Sequence, residues 1–216
     1  PLGQKIAVAR DVAFGFSYPH VLDDWRAAGA EIEFFSPLRD QAPAGDVDAV
    51  YLPGGYPELH AAQLAANHTF LDGLRTAAGN GAVILGECGG YMVLGQGVVD
   101  GNGARHAMAG LLPLETSFAV PRLHLGYREA EMLRDAPFAA TGARFRGHEF
   151  HYSEIEKESN KTQACRLTRP VKKTEKIDGM SRPNIQASYA HIHFASNPAI
   201  VNNMLAFALS KKERSQ

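Results

Sequence analysis

The chain has 216 residues, of which 45% are hydrophobic, and its 22 basic and 23 acidic side chains give a formal net charge of -1. This length suits one domain with a substantial core, and the near-zero charge excludes a field that attracts nucleic acid or anionic lipid. No apolar run approaches the ~20 residues of a membrane helix, no signal peptide opens the chain, and two cysteines are too few for a disulfide framework. We therefore expect a single domain over residues 1–216, located in the cytoplasm, with no membrane or nucleic-acid partner.

The first half of the chain alternates short apolar strands with helices. Strands are predicted at residues 6–10, 31–36, 48–53 and 83–87, and helices at residues 18–29 and 57–81. The first helix carries apolar residues on one face, which are Val21, Leu22, Trp25 and Ala28. Gly29 is its predicted stop, and the second helical region is broken near Asn67. Strands that alternate with helices predict a parallel sheet whose ligand site lies beyond the carboxyl ends of the strands.

The second half changes to a pattern of hairpins, at residues 123–133, 143–155 and 163–177, and closes with a helix over residues 197–210. Antiparallel strands are therefore expected to extend the sheet. The polar stretch 156–182, rich in Lys, Thr and Ser, is interpreted as a solvated hairpin or loop rather than a basic binding patch. The predicted fold class is α/β: a flavodoxin-like open sheet, mixed but mainly parallel, and flanked by helices.

Cys88 follows the last of the apolar strands and stands between glycines. A sharp turn from strand to helix forces its central residue into a strained backbone conformation, which Gly86, Gly89 and Gly90 tolerate because they lack a Cβ. Such a turn holds a thiol at the carboxyl edge of a sheet, where backbone N–H groups favour the thiolate and offer donors to an oxyanion. An unpaired cysteine is otherwise most often a buried structural residue. The glycine frame makes Cys88 a candidate nucleophile.

Two further segments supply groups that a thiol nucleophile needs. Gly54 and Gly55 follow another apolar strand, and a Gly-Gly pair lets backbone amides face a ligand, so this turn is a candidate second half of an oxyanion hole. Late in the chain, His191 and His193 stand at i and i+2 of the strand-like run 186–194 and project from one face. Either one is a candidate base for the thiol, although an isolated histidine is more often structural.

Seven segments form a set that is more specific than any single motif. They cover residues 6–11, 35–38, 52–59, 86–92, 125–130, 146–153 and 188–194, together with Phe14, Tyr18 and Pro19. This set resembles the class I glutamine amidotransferase fold, and most closely the glutaminase half of the cobyrinic or hydrogenobyrinic acid a,c-diamide synthase family. Glutaminases in general share the cysteine turn and a late histidine. The segments at residues 55–58 and 147–153 are typical of the corrinoid amidases.

The resemblance implies roles for the candidate residues. Cys88 is the nucleophile, and His191 is the base by the register of the family. His193 stands where most class I glutaminases carry a carboxylate that orients the histidine, so a Cys-His dyad is the expected machinery. The groups expected to hold the oxyanion or the glutamine are Gly54, Gly55, Gly89, Tyr56 and Glu58.

The segment 147–153 and its neighbours hold further candidates. By the resemblance, the residues that lie near the corrinoid substrate or support the catalytic histidine from behind are Tyr127, Arg128, His148, Glu149 and His151. Arg128 suits a carboxylate because its guanidinium is planar. The alternative is that the segment forms the polar outer face of a hairpin. Histidine and glutamate also ligate zinc, but no matching Cys or His cluster accompanies them, so no metal is expected.

The chain contains no G-x-x-x-x-G-K-[ST] loop of the kind that cradles phosphates. The complete synthetase of the family has an amino-terminal ATP-dependent half, so the chain is expected to be the carboxyl-terminal glutaminase half. ATP and Mg are expected in the other half, and no cofactor in this one. The implied function is glutamine hydrolysis that supplies ammonia to the a and c carboxylates of cobyrinic or hydrogenobyrinic acid, in cobalamin biosynthesis.

The implied partners are therefore glutamine, the corrinoid acceptor and the ATP-binding half. Two alternatives stay open from the sequence. One is a glutaminase that serves another acceptor, such as cobyric acid. The other is a non-catalytic binding module on the same fold, in which Cys88 is a redox or structural thiol.

Overall fold

The computed structural model describes residues 2–136, 139–158, 163–193 and 196–197. Within them the α-helices are α1 Pro19–Ala27, α2 Ala61–Ala66, α3 His68–Gly79 and α4 Gly89–Leu94, and short 3₁₀ helices cover Pro37–Arg39 and Pro57–His60. The strands are β1 Lys5–Ala9, β2 Glu31–Phe35, β3 Ala49–Leu52, β4 Val83–Glu87, β5 Gly97–Val99, β6 Arg105–Ala107, β7 Leu114–Ser117, β8 His124–Met132, β9 Arg144–His151, β10 Glu154–Glu158, β11 Gln163–Thr168, β12 Glu175–Arg182, β13 Ile185–Ser188 and β14 His191–Ile192. Ten strands form one mixed sheet in the order β14-β9-β8-β11-β12-β13-β4-β3-β1-β2, and β10-β7-β5-β6 form a smaller sheet.

The part of the large sheet that positions the site is parallel. β2, β1, β3, β4 and β13 pair in parallel, with Ile6 opposite Ala49. β1, β3 and β4 are short apolar runs buried along nearly their whole length, which suits strands covered on both faces. The structure confirms, with ends that shift by one residue at most, the strands predicted at residues 6–10, 31–36, 48–53 and 83–87.

The helices of the first half follow the predicted pattern, with one correction. The buried face of α1 consists of Val21, Leu22 and Trp25. Ala28, predicted on the same face, is exposed, because α1 ends one residue earlier and Ala28 no longer follows the helical spacing. Gly29, with φ 91°, provides the predicted stop. The second helical region breaks at Asn67 into α2 and α3, as predicted.

The antiparallel half of the sheet curls back towards the parallel half. Only two residues separate β13 from β14 along the chain, yet β9, β8, β11 and β12 lie between them in the sheet. β13 pairs with β4, whereas β14 pairs with β9 and places His191 opposite His148. The prediction of one continuous strand over residues 186–194 is therefore wrong, because the chain bends at Tyr189 and Ala190 between two pairing partners. This bend carries the histidine towards the end of β4.

Two predictions for the second half also need correction. Residues 123–133 and 143–155 do not form a hairpin each, because β8 and β9 are the two arms of a single hairpin and β10 joins the smaller sheet. The polar stretch 156–182 does contain a hairpin, β11 with β12. It is not solvated, since it lies between β8 and β13 and buries side chains such as Ala164 and Asp178.

The predicted closing helix begins at residue 197, and the rest of it lies outside the described residues. Among the helices that are described, none has the length and apolar composition needed to cross a bilayer.

Candidate active site

Cys88 stands at the turn between β4 and α4, with φ 50° and ψ -103°. A non-glycine residue rarely adopts positive φ, and such strain costs about 1–3 kcal/mol. The glycines around it are required by space, since a Cβ on Gly90 would collide with the carbonyl oxygen of Leu52. A Cβ on Gly86 would lie 2.7 Å from Cδ1 of Leu94. The strand-to-helix turn predicted around the cysteine is therefore present.

The Cys88 side chain is buried. Its Sγ lies 3.5 Å from the carbonyl oxygen of Phe150. Burial raises the pKa of the thiol to about 12, although hydrogen bonds from the backbone N–H groups of Gly89 and Gly55 oppose the rise. Desolvation thus opposes the thiolate more strongly than two backbone amides and the dipole of a six-residue helix favour it. The thiol needs a base.

His191 provides a basic nitrogen next to this thiol. A Cβ on Gly54 would lie 3.1 Å from Nε2 of His191 and 3.3 Å from Cβ of Cys88, so both side chains border the space that this glycine leaves free. Nε2 is buried and has no hydrogen-bond partner among the described residues. Burial also lowers the pKa of His191 to about 3, which favours the neutral imidazole and makes it a weaker base. Gly54 thus contributes room for the imidazole.

On its other side, His191 joins a chain of hydrogen bonds. Its Nδ1 lies 3.2 Å from the hydroxyl of Tyr18, and that hydroxyl lies 3.3 Å from Nε2 of His148. His148 stacks on His191 with ring centroids 4.8 Å apart, and its Nδ1 lies 3.0 Å from Nε2 of His193. Of the two candidate bases, the structure therefore places His191 beside the thiol and His193 behind His148.

Glu87 is a buried carboxylic acid that sequence reasoning did not select. It accepts hydrogen bonds from the hydroxyl of Tyr51 at 2.6 Å and from the backbone N–H of Ile192 at 2.7 Å. Burial raises the pKa of Glu87 to about 7. The carboxyl group thus ties the end of β4 to the backbone beside His191. The one signal in the sequence is an acidic residue at the end of an otherwise apolar strand.

A pocket opens from the sulfur towards the surface. It is lined by Phe16, Gly55, Tyr56, Glu58, Cys88, Met92, Phe118, Phe150, His151 and Tyr152. The Oε2 atom of Glu58 is buried there without a hydrogen-bond partner, and burial raises the pKa of this carboxyl to about 7. Tyr56 packs edge-on against Phe16, with ring centroids 5.1 Å apart. Both predicted glutamine-binding side chains therefore reach the pocket that holds the cysteine.

The antiparallel pair β8–β9 carries a buried ionic cluster. Glu149 is fully buried, forms an ion pair with Arg128 at 2.5 Å, and lies near the Lys176 ammonium and, at 3.5 Å, Nε2 of His151. The interpretation of Arg128 as a surface ligand for a substrate carboxylate is therefore wrong. Alternate residues of β8 point to opposite faces, so Arg128 turns inward while Tyr127 is 73% exposed.

The same alternation of side chains along a strand explains where the residues of segment 147–153 lie. His148 supports His191, and His151 reaches the pocket and stacks on Tyr189 with ring centroids 3.7 Å apart. The alternative of a polar outer face is wrong, because Glu149, His151 and Ser153 are buried. Within the described ranges, no three His, Cys, Asp or Glu side chains gather in an arrangement that could hold a metal ion.

The arrangement resembles solved glutaminases in fold. A crystal structure of a glutamine amidotransferase superposes with a TM-score of 0.63 at 15% identity, covering 94% of this chain and 98% of that one. The structure of PurLQS from Thermotoga maritima gives a TM-score of 0.65 at 15% identity, covering 97% and 99%. The glutaminase domain of Trypanosoma brucei CTPS with bound acivicin gives 0.60 at 12% identity, covering 95% and 94%. The predicted fold, class I glutamine amidotransferase-like, is confirmed.

Curated relatives match more closely in sequence. Hydrogenobyrinate a,c-diamide synthase of Brucella anthropi is 48% identical over 192 residues, and that of Rhodobacter capsulatus is 49% identical over 195 residues. Each match covers 89% of this chain but only 43% and 44% of the relative, so the chain spans less than half of their length. Residues 5–199 match the CobB/CobQ-like glutamine amidotransferase domain. The chain belongs to this family of glutamine amidotransferase domains.

Proposed function

We propose that this chain hydrolyses glutamine at Cys88 and His191, and that the ammonia serves ATP-dependent amidation of the a and c carboxylates of hydrogenobyrinic or cobyrinic acid in cobalamin biosynthesis. One observation carries the proposal. A cysteine held at positive φ and a neutral imidazole nitrogen without a partner border the same space at Gly54. The names of relatives that are 48–50% identical support the corrinoid acceptor, and favour hydrogenobyrinate.

The chemistry begins from a neutral pair. As Sγ of Cys88 attacks the side-chain amide carbon of glutamine, its proton passes to Nε2 of His191. The N–H groups of Gly55 and Gly89 face the sulfur and stabilise the oxyanion. The imidazolium then protonates the leaving ammonia. A water, deprotonated by the same imidazole, hydrolyses the thioester and releases glutamate.

The glutamine pocket supplies a second point of recognition. Glu58 offers a buried carboxyl oxygen that has no hydrogen-bond partner in the described part of the chain, and the α-ammonium of glutamine would provide the missing donors and charge. Tyr56 and Phe16 wall the same pocket. We assign Glu58 to the α-ammonium and Tyr56 to the outer wall, with the amide end of glutamine at the sulfur.

The acceptor chemistry belongs to a partner part of the enzyme. The relatives are more than twice as long as the matched segment, which leaves room for the ATP- and Mg-dependent half. Tyr127, exposed beside His193 with ring centroids 6.4 Å apart, is our candidate contact for that half or its corrinoid substrate. We place the activity in the cytoplasm, which the two unpaired cysteines favour.

A glutamine-like electrophile tests the proposal on this chain. We expect 6-diazo-5-oxo-norleucine to alkylate Cys88, detected by peptide mass spectrometry, and to leave Cys165 unmodified. Cys165 is the matched control because it is also a buried free thiol, on β11. His191→Ala should slow the labelling, since it removes the base. Absence of labelling, or equal labelling of both cysteines, would contradict a glutamine site at Cys88 and favour the binding-module alternative.

A further inference from the structure

The orientation of the catalytic imidazole is set from behind by a tyrosine. Tyr18 precedes α1, and its hydroxyl is within hydrogen-bond distance of Nδ1 of His191 and of Nε2 of His148. These residues are 173 and 130 positions away along the chain, so the contact exists only because the sheet curls back. The aromatic rings also meet edge-on, with centroids of Tyr18 and His191 6.1 Å apart at 85°. The hydroxyl is thus held between two histidines.

We propose that Tyr18 is a positioning residue, whose hydroxyl accepts a hydrogen bond from Nδ1–H of His191 and so leaves Nε2 unprotonated towards Cys88. This inference rests on the proposed glutaminase function. The Tyr18 hydroxyl thus orients the imidazole, since none of the described contacts brings a carboxylate to Nδ1 of His191.

The hydrogen-bond chain has one polarity that permits catalysis. If Nδ1–H of His191 donates to Tyr18, the tyrosine O–H is free to donate to Nε2 of His148. Nδ1–H of His148 then donates to Nε2 of His193, which is partly exposed. In the opposite polarity, Tyr18 donates to His191, and Nε2 must carry the proton. A protonated Nε2 facing a protonated thiol has no lone pair with which to act as a base.

The surroundings favour a neutral hydroxyl in this position. Burial raises the pKa of Tyr18 well above its ordinary value, so the O–H keeps its proton. Other titratable groups near this hydrogen-bond network include His20, whose ring lies 5.8 Å from that of Tyr18, His151, and Tyr127 beside His193. Glu87 bonds to Tyr51 and to the backbone N–H of Ile192. Glu87 therefore fixes the backbone of the strand that carries His191, whereas Tyr18 contacts the His191 ring.

The direct test is the tautomer of His191 in the wild-type chain. Nitrogen-15 NMR of the histidine-labelled protein, with His191→Gln used to assign the signal, should show a protonated Nδ1 and an unprotonated Nε2. In Tyr18→Phe, which keeps the ring but removes the acceptor, the Nδ1–H preference should be lost. Finding Nε2–H as the main tautomer in the wild-type protein would overturn the proposal, and this result does not depend on the folding of Tyr18→Phe.

Kinetics provide the second readout. Tyr18→Phe should lower kcat for glutamine hydrolysis on the order of 10-fold, less than the loss of a whole general base, and leave KM nearly unchanged. Tyr91→Phe is the matched control, because the Tyr91 hydroxyl is buried without a hydrogen-bond partner. An unchanged kcat in a folded Tyr18→Phe variant would contradict the positioning role. Retention of glutaminase activity by Cys88→Ser would instead contradict the proposed function, so the two failures are distinguishable.

Discussion

At the scale of single residues, the site combines a strained backbone with two neutral side chains. Cys88 adopts positive φ, which aims its thiol at the edge where β3 and β4 end. Burial raises the pKa of the thiol to about 12 and lowers the pKa of His191 to about 3. Both shifts favour the neutral thiol and the neutral imidazole, and in our proposal the proton moves as the sulfur attacks. This differs from cysteine enzymes that keep a preformed ion pair.

A pH profile of thiol reactivity follows from the raised pKa. We expect iodoacetamide to modify Cys88 slowly at neutral pH, with a rate that rises about tenfold per pH unit because the thiolate fraction grows that steeply below the pKa. The rate would be measured by peptide mass spectrometry on the folded chain. A plateau already reached at pH 7 would mean that the thiol is ionised there and would contradict the neutral pair.

Exchange of each histidine separates the base from its neighbour. His191→Ala should reduce glutamine hydrolysis on the order of 10²-fold or more, as expected for loss of a general base. His193→Ala should cost distinctly less, because His193 contacts His148 rather than the thiol. Both variants would be compared by kcat after a check of folding by circular dichroism. A larger loss for His193→Ala would transfer the role of base to that residue.

At the scale of elements, the two faces of strand β9 in the β8–β9 hairpin have different roles. One face of β9 presents His148 to His191, and the other buries Glu149 against Arg128 and Lys176. Burial alone would raise the pKa of Glu149, but hydrogen bonding to His151 and the two cations outweigh it and hold the pKa at about 2. The hairpin thus depends on a carboxylate that stays ionised.

Removal of the Glu149 charge tests whether the ionic cluster stabilises the β8–β9 hairpin. Glu149→Gln should lower the free energy of unfolding by about 3 kcal/mol, because it leaves the buried Arg128 guanidinium without its counterion. Chemical denaturation would measure the change. Glu131→Gln is the matched control, since its partner Arg144 is 79% exposed and such surface pairs contribute at most about 1 kcal/mol. Equal effects of both substitutions would show that the cluster does not hold the hairpin.

The same cluster predicts an acid dependence. The pKa of Glu149 lies at about 2 in the folded chain, below its ordinary value of 4.5. Its contribution to stability is therefore complete above about pH 4.5 and is lost as the pH falls through about 2. Over that window, the unfolding free energy of Glu149→Gln should fall less steeply than that of the wild type.

Elements that depend on residues close together in the sequence could be predicted. Contacts that form only because the sheet curls could not. The turn at Cys88 was predictable because an apolar strand followed by Cys-Gly-Gly specifies its own geometry. Tyr18 and Glu87 were not selected, because they meet the histidine strand across 173 and 105 residues of chain. Arg128 was misplaced because the face of β8 that is buried depends on how β9 and β11 pair with it.

At the scale of the whole molecule, the chain matches only part of the longer relatives. The curated relatives carry more than half of their length outside the matched segment. In our account, that additional part activates the corrinoid carboxylates with ATP, and this chain delivers ammonia. Damage to the cysteine should therefore remove one source of nitrogen and leave the amidating chemistry intact.

The proposed role of Cys88 as the nucleophile that releases ammonia can be tested in a single assay. In the full-length enzyme, in which this chain is joined to its ATP-dependent part, Cys88→Ser is assayed for corrinoid amidation with glutamine and, separately, with ammonium salt. We predict that the glutamine-dependent rate falls on the order of 10³-fold or more, as for loss of an enzyme nucleophile, while the ammonia-dependent rate stays near that of the wild type. Equal loss of both rates would show that Cys88 is structural, and an unchanged glutamine-dependent rate would show that another residue is the nucleophile.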